Sequence, residues 1–356
     1  MKQQIRKDWV DIAKAIAIIA IVIWHMQFNY YESQWLPLKN LMAGIWPVPV
    51  FFMIAGFFLT NEKLIDTKSF ILKKIKNLYL PTLYLYLIAT LLHNIFIKIN
   101  FYNTAMDYGG SFIKFYSNTD IIKNCIADIF LAGRELILAP MWFVCVLFVA
   151  LCVMSIETTI IKRYSKSDKQ FKIIQFIVIF IPAIVYSVIS FTYHIIIPRY
   201  QQLFSAIWLI YIGMWINQYR KKKHTNKYMF ITSIFIVYTI SILPYTISQN
   251  LLSLTICTTA ACYALCYLSI LINQHCKYLN RVLAFIGRDS FYIMAFHCFA
   301  FKVITLILNL FGYNQDLAIL IAPTNDNICI YILYAAGGTI IPLFIIHLFR
   351  IIKRSI

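Results

Sequence analysis

Long apolar segments recur along the whole 356-residue chain, and they constrain its fold more than any other feature. About ten of them are long enough to cross the hydrocarbon core of a bilayer. They are residues 9–28, 41–60, 78–97, 136–159, 173–191, 203–219, 228–246, 251–272, 289–310 and 328–352. Inside hydrocarbon the backbone groups must be hydrogen-bonded within the chain, which favours helices. The sequence therefore predicts an all-α polytopic integral membrane protein with a bundle of about ten transmembrane helices.

Composition and charge support this prediction and indicate an orientation. Charged residues make up 13% of the chain, whereas soluble domains carry about 25%. The net charge of +18 would suggest a nucleic-acid partner in a soluble protein, but here the basic residues lie at the termini and in alternate connections. By the positive-inside rule, that side is cytoplasmic, and both termini with it. We expect a single membrane domain over residues 1–356, an external loop at about 98–135, and no nucleic-acid partner.

The first apolar segment carries an acid, a base and an imidazole: Asp11, Lys14 and His25. At about 100° per residue, Lys14 and His25 differ by about 20° around a helix, and Asp11 and His25 by about 40°. Ionisable groups within a span are costly and point to function. An imidazole there can act as a general base or a nucleophile. The alternatives are an interfacial histidine and an ordinary ion pair at the helix start.

Few other polar groups within the segments suggest chemistry. His297 and Lys302 lie in the ninth segment, about 140° apart, so they cannot share one pocket wall. We expect His297 to be a second catalytic or a structural imidazole, and Lys302 to extend to the membrane surface or to meet an interior acid. The remaining histidines lie near segment ends, where we expect them to be solvated: His93, His194, His275 and His347. The nine cysteines show no metal-binding spacing, and no metal site is predicted.

Five strings in a fixed order resemble motifs of the membrane acyltransferase-3 family, in particular its fucose 4-O-acetylase-like members. They are D-I-A-K at 11–14 with His25, VPVFFMIAGFFL at 48–59, KKIKNLYLP at 73–81, APMWFV at 139–144 and IGRDSFYIMAFH at 286–297. Two positions depart from the family pattern. Ala55 stands where serine is usual, and Asp289 stands where asparagine is common.

The resemblance implies a membrane O-acetyltransferase of the bacterial inner membrane. Its donor would be cytoplasmic acetyl-CoA, and its acceptor a hydroxyl of a cell-envelope or extracellular polysaccharide, or of a lipid-linked sugar. His25 would be catalytic, with Asp11 in support, and Lys14 would bind the anionic donor. Lys73, Lys74 and Lys76 would contact the phosphates of CoA, unless they only determine topology.

For the acceptor, the resemblance and the outward position suggest Arg134, Glu135, Trp142 and His297. For Trp142 the alternative is a residue of the interfacial aromatic belt, and for Arg134 and Glu135 it is a surface salt bridge. Direct transfer and an acyl-histidine intermediate both remain open. A rival function is a proton-coupled transporter or flippase of a glycan or lipid-linked precursor. The sequence does not decide whether the protein forms a homo-oligomer.

Overall fold

The computed structural model describes residues 8–26, 41–42, 44–102, 113–133, 135–193, 198–219, 226–313 and 327–355. In these ranges the chain is helical and forms no extended strand. The first half contains α1 (Asp8–Trp24), α2 (Pro47–Phe57), α3 (Asn61–Ile65), α4 (Thr67–Lys74), α5 (Leu80–Lys98), α6 (Asn118–Ile129) and α7 (Trp142–Tyr164). The second half contains α8 (Asp168–Tyr193), α9 (Pro198–Tyr219), α10 (Lys227–Ser241), α11 (Tyr245–Ser248), α12 (Leu251–His275), α13 (Lys277–Arg288), α14 (Ser290–Leu310) and α15 (Ile328–Ser355).

Several helices are long and apolar enough to cross a membrane, which confirms an all-α, multi-pass membrane protein. Six such spans occur in the described ranges: Thr67–Lys98, Leu136–Tyr164, Asp168–Thr192, Leu251–His275, Ser290–Leu310 and Ile328–Ile352. The helices α2 and α10 are apolar but shorter. Helices lie in all ten predicted segments, including α1 with 17 residues and α9 with 22. The count of about ten spans and the cytoplasmic termini stay predictions.

Proline accounts for two differences from the predicted boundaries, and a third helix differs near another proline. In the second segment α2 begins only at Pro47, because a proline is best placed in the first turn of a helix. In the seventh segment α10 ends at Ser241, shortly before Pro244, which cannot continue a helix. In the third segment the helix starts earlier than predicted, at Thr67, and runs on through a π-helical turn, Ile75–Tyr79. That turn directly precedes Pro81, which has no N–H to donate to the preceding turn.

The structure adds two amphipathic helices that hydropathy did not reveal. Within the predicted external loop, α6 starts at a capping box in which Ser117 and Asp120 exchange hydrogen bonds. Between the eighth and ninth segments, α13 has Lys277, Arg281 and Arg288 on its polar face. Both helices have 12 residues. They are too short to produce the long apolar windows by which a span is recognised.

The chain forms two compact units. The first consists of Met1–Ala13, Asn40–Leu80 and Phe143–Arg281, and the second of Lys14–Lys39, Pro81–Trp142 and Val282–Ile356. In the first unit α9 packs against α2, and α10 packs against α12. In the second unit α14 packs against α15 and against a 3₁₀ turn, Leu136–Met141, that precedes α7. The second unit contains His25 and His297, two of the candidate site residues.

Candidate functional site

Two histidines from distant parts of the sequence face each other in the second unit. His25 lies in a turn directly after α1, and His297 lies in α14. The centroids of their rings are 4.8 Å apart, and the ring planes are inclined by 58°. His297 is fully buried, whereas His25 is partly buried. The sequence marks both residues as candidates, and the structure brings them together.

The backbone fixes the tautomer of both rings. Nδ1 of His25 lies 2.8 Å from the carbonyl oxygen of Ile21, and Nδ1 of His297 lies 2.8 Å from that of Ile293. A carbonyl oxygen can only accept a hydrogen bond, so each Nδ1 carries the proton and donates it. Each neutral ring therefore presents a bare lone pair at Nε2. Among the described residues, the buried Nε2 of His297 has no hydrogen-bond partner.

Aromatic packing holds the ring of His297. The ring of Phe301, one turn further along α14, meets it edge-on with centroids 5.7 Å apart. Phe301 in turn contacts Tyr334 of α15, whose hydroxyl is 2.7 Å from the Thr305 hydroxyl. A β-carbon at Gly338 would lie 2.5 Å from Phe301 Cε1, so α15 approaches α14 closely only because this residue is glycine. These contacts leave the imidazole of His297 little freedom to turn away from His25.

The other polar residues of the first helix are inside the protein. Asp11 is buried and Lys14 is half-buried, and both make polar or electrostatic contacts. The helix α1 carries Asp11 and Lys14 but ends at Trp24, so His25 lies in the turn after it, and a stripe of all three residues along one helix face stays a prediction. The donor-binding role of Lys14 and the catalytic role of Asp11 stay predictions.

A buried polar network surrounds Glu135, which is only 2% exposed and is not the surface residue of the salt-bridge alternative. His93 Nδ1 lies 3.1 and 3.2 Å from the two carboxylate oxygens of Glu135, and the Tyr102 hydroxyl donates to Glu135 Oε2 at 3.1 Å. The prediction of a solvated His93 is therefore wrong. His93 lies in the last two turns of α5 with its side chain buried, where an imidazole needs hydrogen-bond partners, and these are Glu135 and the Lys114 carbonyl.

Burial and neighbouring charge shift two pKa values in this network. Burial, and then the adjacent Glu135, raise the pKa of Tyr102 well above its usual value. Burial raises the pKa of Asp128 in α6, while a 2.7 Å hydrogen bond from Thr90 partly counteracts this. The sequence analysis missed this role for His93, Tyr102 and Asp128. The available signal was the concentration of acids and aromatic residues in and beside the predicted external loop, and this concentration does not show which of them are in contact.

The remaining predicted site residues are placed as follows. Trp142 is half-buried at the start of α7, and Arg134 lies outside the described residues. Lys302 is fully buried, so it does not extend to the membrane surface and contacts interior groups instead. His275 and His347 are exposed on the protein surface, and His194 lies outside the described residues, so their contact with water stays a prediction.

The three lysines predicted to bind CoA phosphates flank the start of the π-helical turn in the first unit. Lys73 and Lys76 are exposed. Lys74 is half-buried, with its Nζ 5.0 Å from the ring centroid of Phe70. The two exposed lysines can therefore contact an anionic ligand directly, whereas Lys74 is partly occupied by a cation–π contact.

Neither a metal centre nor a disulfide is found in the part of the chain that the structure describes. It contains no group of three or more histidine, cysteine or acidic residues that could hold a metal ion. The nine cysteines, all within this part, are free thiols. Independently of this, the Nε2 lone pairs of the paired histidines suit proton abstraction or nucleophilic attack.

Comparison with known proteins bears on the reaction type. A family model described as an acyltransferase domain, that of the acyltransferase-3 family, matches residues 7–347. No significant match is found among the curated proteins or among the solved structures. The matched region covers nearly the whole chain and includes His25 and His297. The protein therefore belongs to the acyltransferase-3 family of membrane acyltransferases.

Proposed function

We propose that this protein is an O-acetyltransferase of the bacterial cytoplasmic membrane that moves an acetyl group from cytoplasmic acetyl-CoA to a carbohydrate hydroxyl of the cell envelope. The observation that carries the proposal is the bare Nε2 of His25, fixed in one tautomer beside His297. A base with this tautomer can remove a proton from a hydroxyl group at neutral pH. The family supports acyl transfer, while the acetyl donor and the carbohydrate acceptor are part of the proposal.

In the proposed reaction the acceptor hydroxyl gives its proton to Nε2 of His25 as its oxygen attacks the thioester carbon. The new C–O bond forms and the C–S bond breaks, and the departing thiolate takes the proton from His25. The imidazole therefore ends the cycle as it began. The Nδ1–H···O=C bond to Ile21 keeps the ring in position throughout and stabilises the imidazolium.

The distribution of charge supports the proposal that acetyl-CoA binds from the cytoplasmic side. CoA carries several phosphate charges, and the predicted cytoplasmic side holds most of the lysine and arginine residues. Lys73 and Lys76 are exposed and are the proposed phosphate contacts, with Lys74 beside them. We also propose a role for Lys14 in donor binding, since it lies towards the cytoplasmic end of α1 in the proposed orientation.

Reconstituted protein supplied with acetyl-labelled acetyl-CoA and envelope glycan tests the proposal. We expect label on the glycan with wild-type protein and none with His25→Ala. The matched control is His275→Ala, which removes an exposed histidine at the end of α12 and should retain activity. Wild-type turnover in His25→Ala would contradict the catalytic assignment. Movement of glycan across the membrane without acetylation would favour transport instead.

Quenching in cold denaturant near neutral pH during turnover separates the two chemical routes, because acid would hydrolyse an acyl-imidazole. Label that stays on the wild-type protein, is chased by glycan and is absent from His25→Ala would indicate an acyl-histidine intermediate. Direct transfer leaves no label on the protein at any time. Both results are compatible with the proposed overall reaction.

A further inference from the structure

The paired histidines present two hydrogen-bond acceptors and no free donor. With Nδ1 of each ring donating to its own helix, only the Nε2 lone pairs remain for a ligand. Two neutral rings in this state cannot hydrogen-bond to each other through Nε2. The fully buried Nε2 of His297 therefore lacks a partner among the described residues, and an unpaired buried polar atom destabilises the fold.

An apolar residue would avoid this cost. Position 297 is packed against Phe301, where a leucine or phenylalanine would satisfy the same contacts without leaving a buried polar atom unpaired. The unpaired nitrogen thus points to a ligand that supplies the missing hydrogen. A single hydroxyl group carries one hydrogen and can satisfy only one of the two nitrogens.

We propose that the acceptor presents two neighbouring hydroxyl groups, one to each histidine. His25 takes the proton of the hydroxyl that becomes acetylated, and His297 Nε2 accepts a hydrogen bond from the hydroxyl on the adjacent carbon. Hydroxyls on neighbouring carbons are close enough to each other to hydrogen-bond to two rings whose centroids are 4.8 Å apart. This inference rests on the proposed acetyl transfer and narrows its acceptor to sugars with a vicinal diol.

The different roles of His25 and His297 follow from the different burial of their rings. His25 is the more exposed ring, so a transient positive charge is solvated more easily there than on the fully buried His297. In this scheme His297 binds and orients the acceptor, and its protonation state does not change during the reaction. The acceptor, and not acetyl-CoA, should therefore be sensitive to substitution at position 297.

Two near-isosteric variants isolate the Nε2 lone pair. In His297→Gln the amide oxygen can occupy the place of Nε2, whereas in His297→Asn the shorter side chain reaches only the place of Nδ1. With envelope glycan as acceptor we expect His297→Asn to raise the acceptor KM about tenfold, the effect of one lost hydrogen bond. We expect His297→Gln to stay within about threefold of wild type, and the KM for acetyl-CoA to stay unchanged in both.

The acetylated product gives an independent measurement. Magnetic resonance of the labelled glycan should place the acetyl group on a carbon whose neighbour carries a free hydroxyl. An acetyl group without such a neighbour would overturn the inference, as would an unchanged acceptor KM in His297→Asn. A raised KM for acetyl-CoA in its place would assign His297 to the donor and overturn it too.

The outcomes keep the two proposals apart. If wild-type protein transfers no acetyl group at all, the proposed function itself fails. If it transfers acetyl groups but the asparagine and glutamine variants behave alike, only the diol inference fails. Gel filtration of each variant in detergent verifies that it is folded.

Discussion

At the scale of single residues, several hydrogen bonds hold the buried network around Glu135 in the predicted external loop. His93 Nε2 lies 3.0 Å from the carbonyl oxygen of Lys114, so it must donate. Nδ1 then shares one further proton with Glu135, whose carboxylate also receives the Tyr102 hydroxyl. The ring of Tyr116 stacks on His93 with centroids 3.5 Å apart. This network fastens the segment that leads into α6 onto the end of α5.

Substitutions of Glu135 should show whether the stability of the protein depends on the hydrogen bonds of this side chain or on its charge. Glu135→Ala leaves His93 Nδ1 and the Tyr102 hydroxyl unpaired in a buried site, and we expect it to lower the free energy of unfolding by about 2–5 kcal/mol. In Glu135→Gln the amide can donate to Nδ1 and accept from Tyr102, so stability should remain near wild type. Thermal unfolding in detergent measures both. Equal destabilisation by the two variants would show that the carboxylate charge is required.

Residue identity alone predicted the two central histidines but not their pairing. Polar groups in apolar segments stand out in the sequence, which is why His25 and His297 were both candidates. Their 4.8 Å approach depends on the packing of α14 against other parts of the second unit. Glu135 was assigned to an acceptor site or the surface because it follows Arg134 in a loop. Its actual partners are 33 and 42 residues away in sequence.

At the scale of helices, close backbone approach organises the first unit. A β-carbon at Gly56 of α2 would overlap the carbonyl oxygen of Ile210, and one at Gly213 of α9 would overlap that of Met53. The two glycines thus let α2 and α9 meet backbone to backbone. Small residues serve the same purpose in many membrane helix pairs, where packing replaces the hydrophobic effect as the driving force.

Replacing Gly56 by alanine should therefore destabilise the protein. In an unconstrained helix, glycine to alanine gains up to about 1 kcal/mol. Here the two helices must move apart, and we expect a loss of about 1–3 kcal/mol in detergent unfolding. Ala55→Ser, at the neighbouring half-buried position, adds one atom without this clash and serves as the control. A gain in stability for Gly56→Ala would contradict the close approach of α2 and α9.

The capping box of α6 should make the first turn of that helix sensitive to pH. Hydrogen bonds from the side chain and backbone of Ser117 hold the pKa of Asp120 below its ordinary value of 3.8. Since the folded pKa is the lower one, the stabilisation is complete above the ordinary pKa and is lost as pH falls through the folded value. We expect amide protection of residues 118–121 to decrease below about pH 4.

Ser117→Ala should reduce this protection at neutral pH as well. The side chain of Ser117 accepts a hydrogen bond from the backbone of Asp120, and loss of such a cap costs about 1 kcal/mol, or about fivefold in exchange rate. Ser117→Thr keeps a capping hydroxyl and is the matched control. Unchanged protection in Ser117→Ala would mean that packing alone fixes this end of α6.

Hydropathy predicted where helices occur better than where they begin and end. The ten apolar segments all contain helices because apolar length is a strong signal. Their ends depend on local chemistry, as at Pro47, Pro81 and Pro244. The short amphipathic helices α6 and α13 give no long apolar window, so only their packing in the fold reveals them.

At the scale of the whole molecule, the distribution of basic residues predicts the direction in which each segment crosses the membrane. If both termini are cytoplasmic, the segment 289–310 runs outward and the segment 328–352 runs inward. The connection before α14 then lies in the cytoplasm, and the start of α15 lies outside. Two exposed native cysteines mark these places: Cys276 between α12 and α13, and Cys329 at the start of α15.

Labelling these thiols in cells should test the orientation without new cysteines. A membrane-impermeant maleimide applied to intact cells, with modified peptides located by mass spectrometry, should modify Cys329 and spare Cys276. Both should react once the membrane is permeabilised, since both side chains are exposed. The variants Cys329→Ser and Cys276→Ser control for peptide assignment. Labelling of Cys276 alone in intact cells would reverse the orientation, which would place the basic loops outside and remove the charge argument for a cytoplasmic acetyl-CoA. Labelling of both would mean that α14 does not separate the two sides of the membrane.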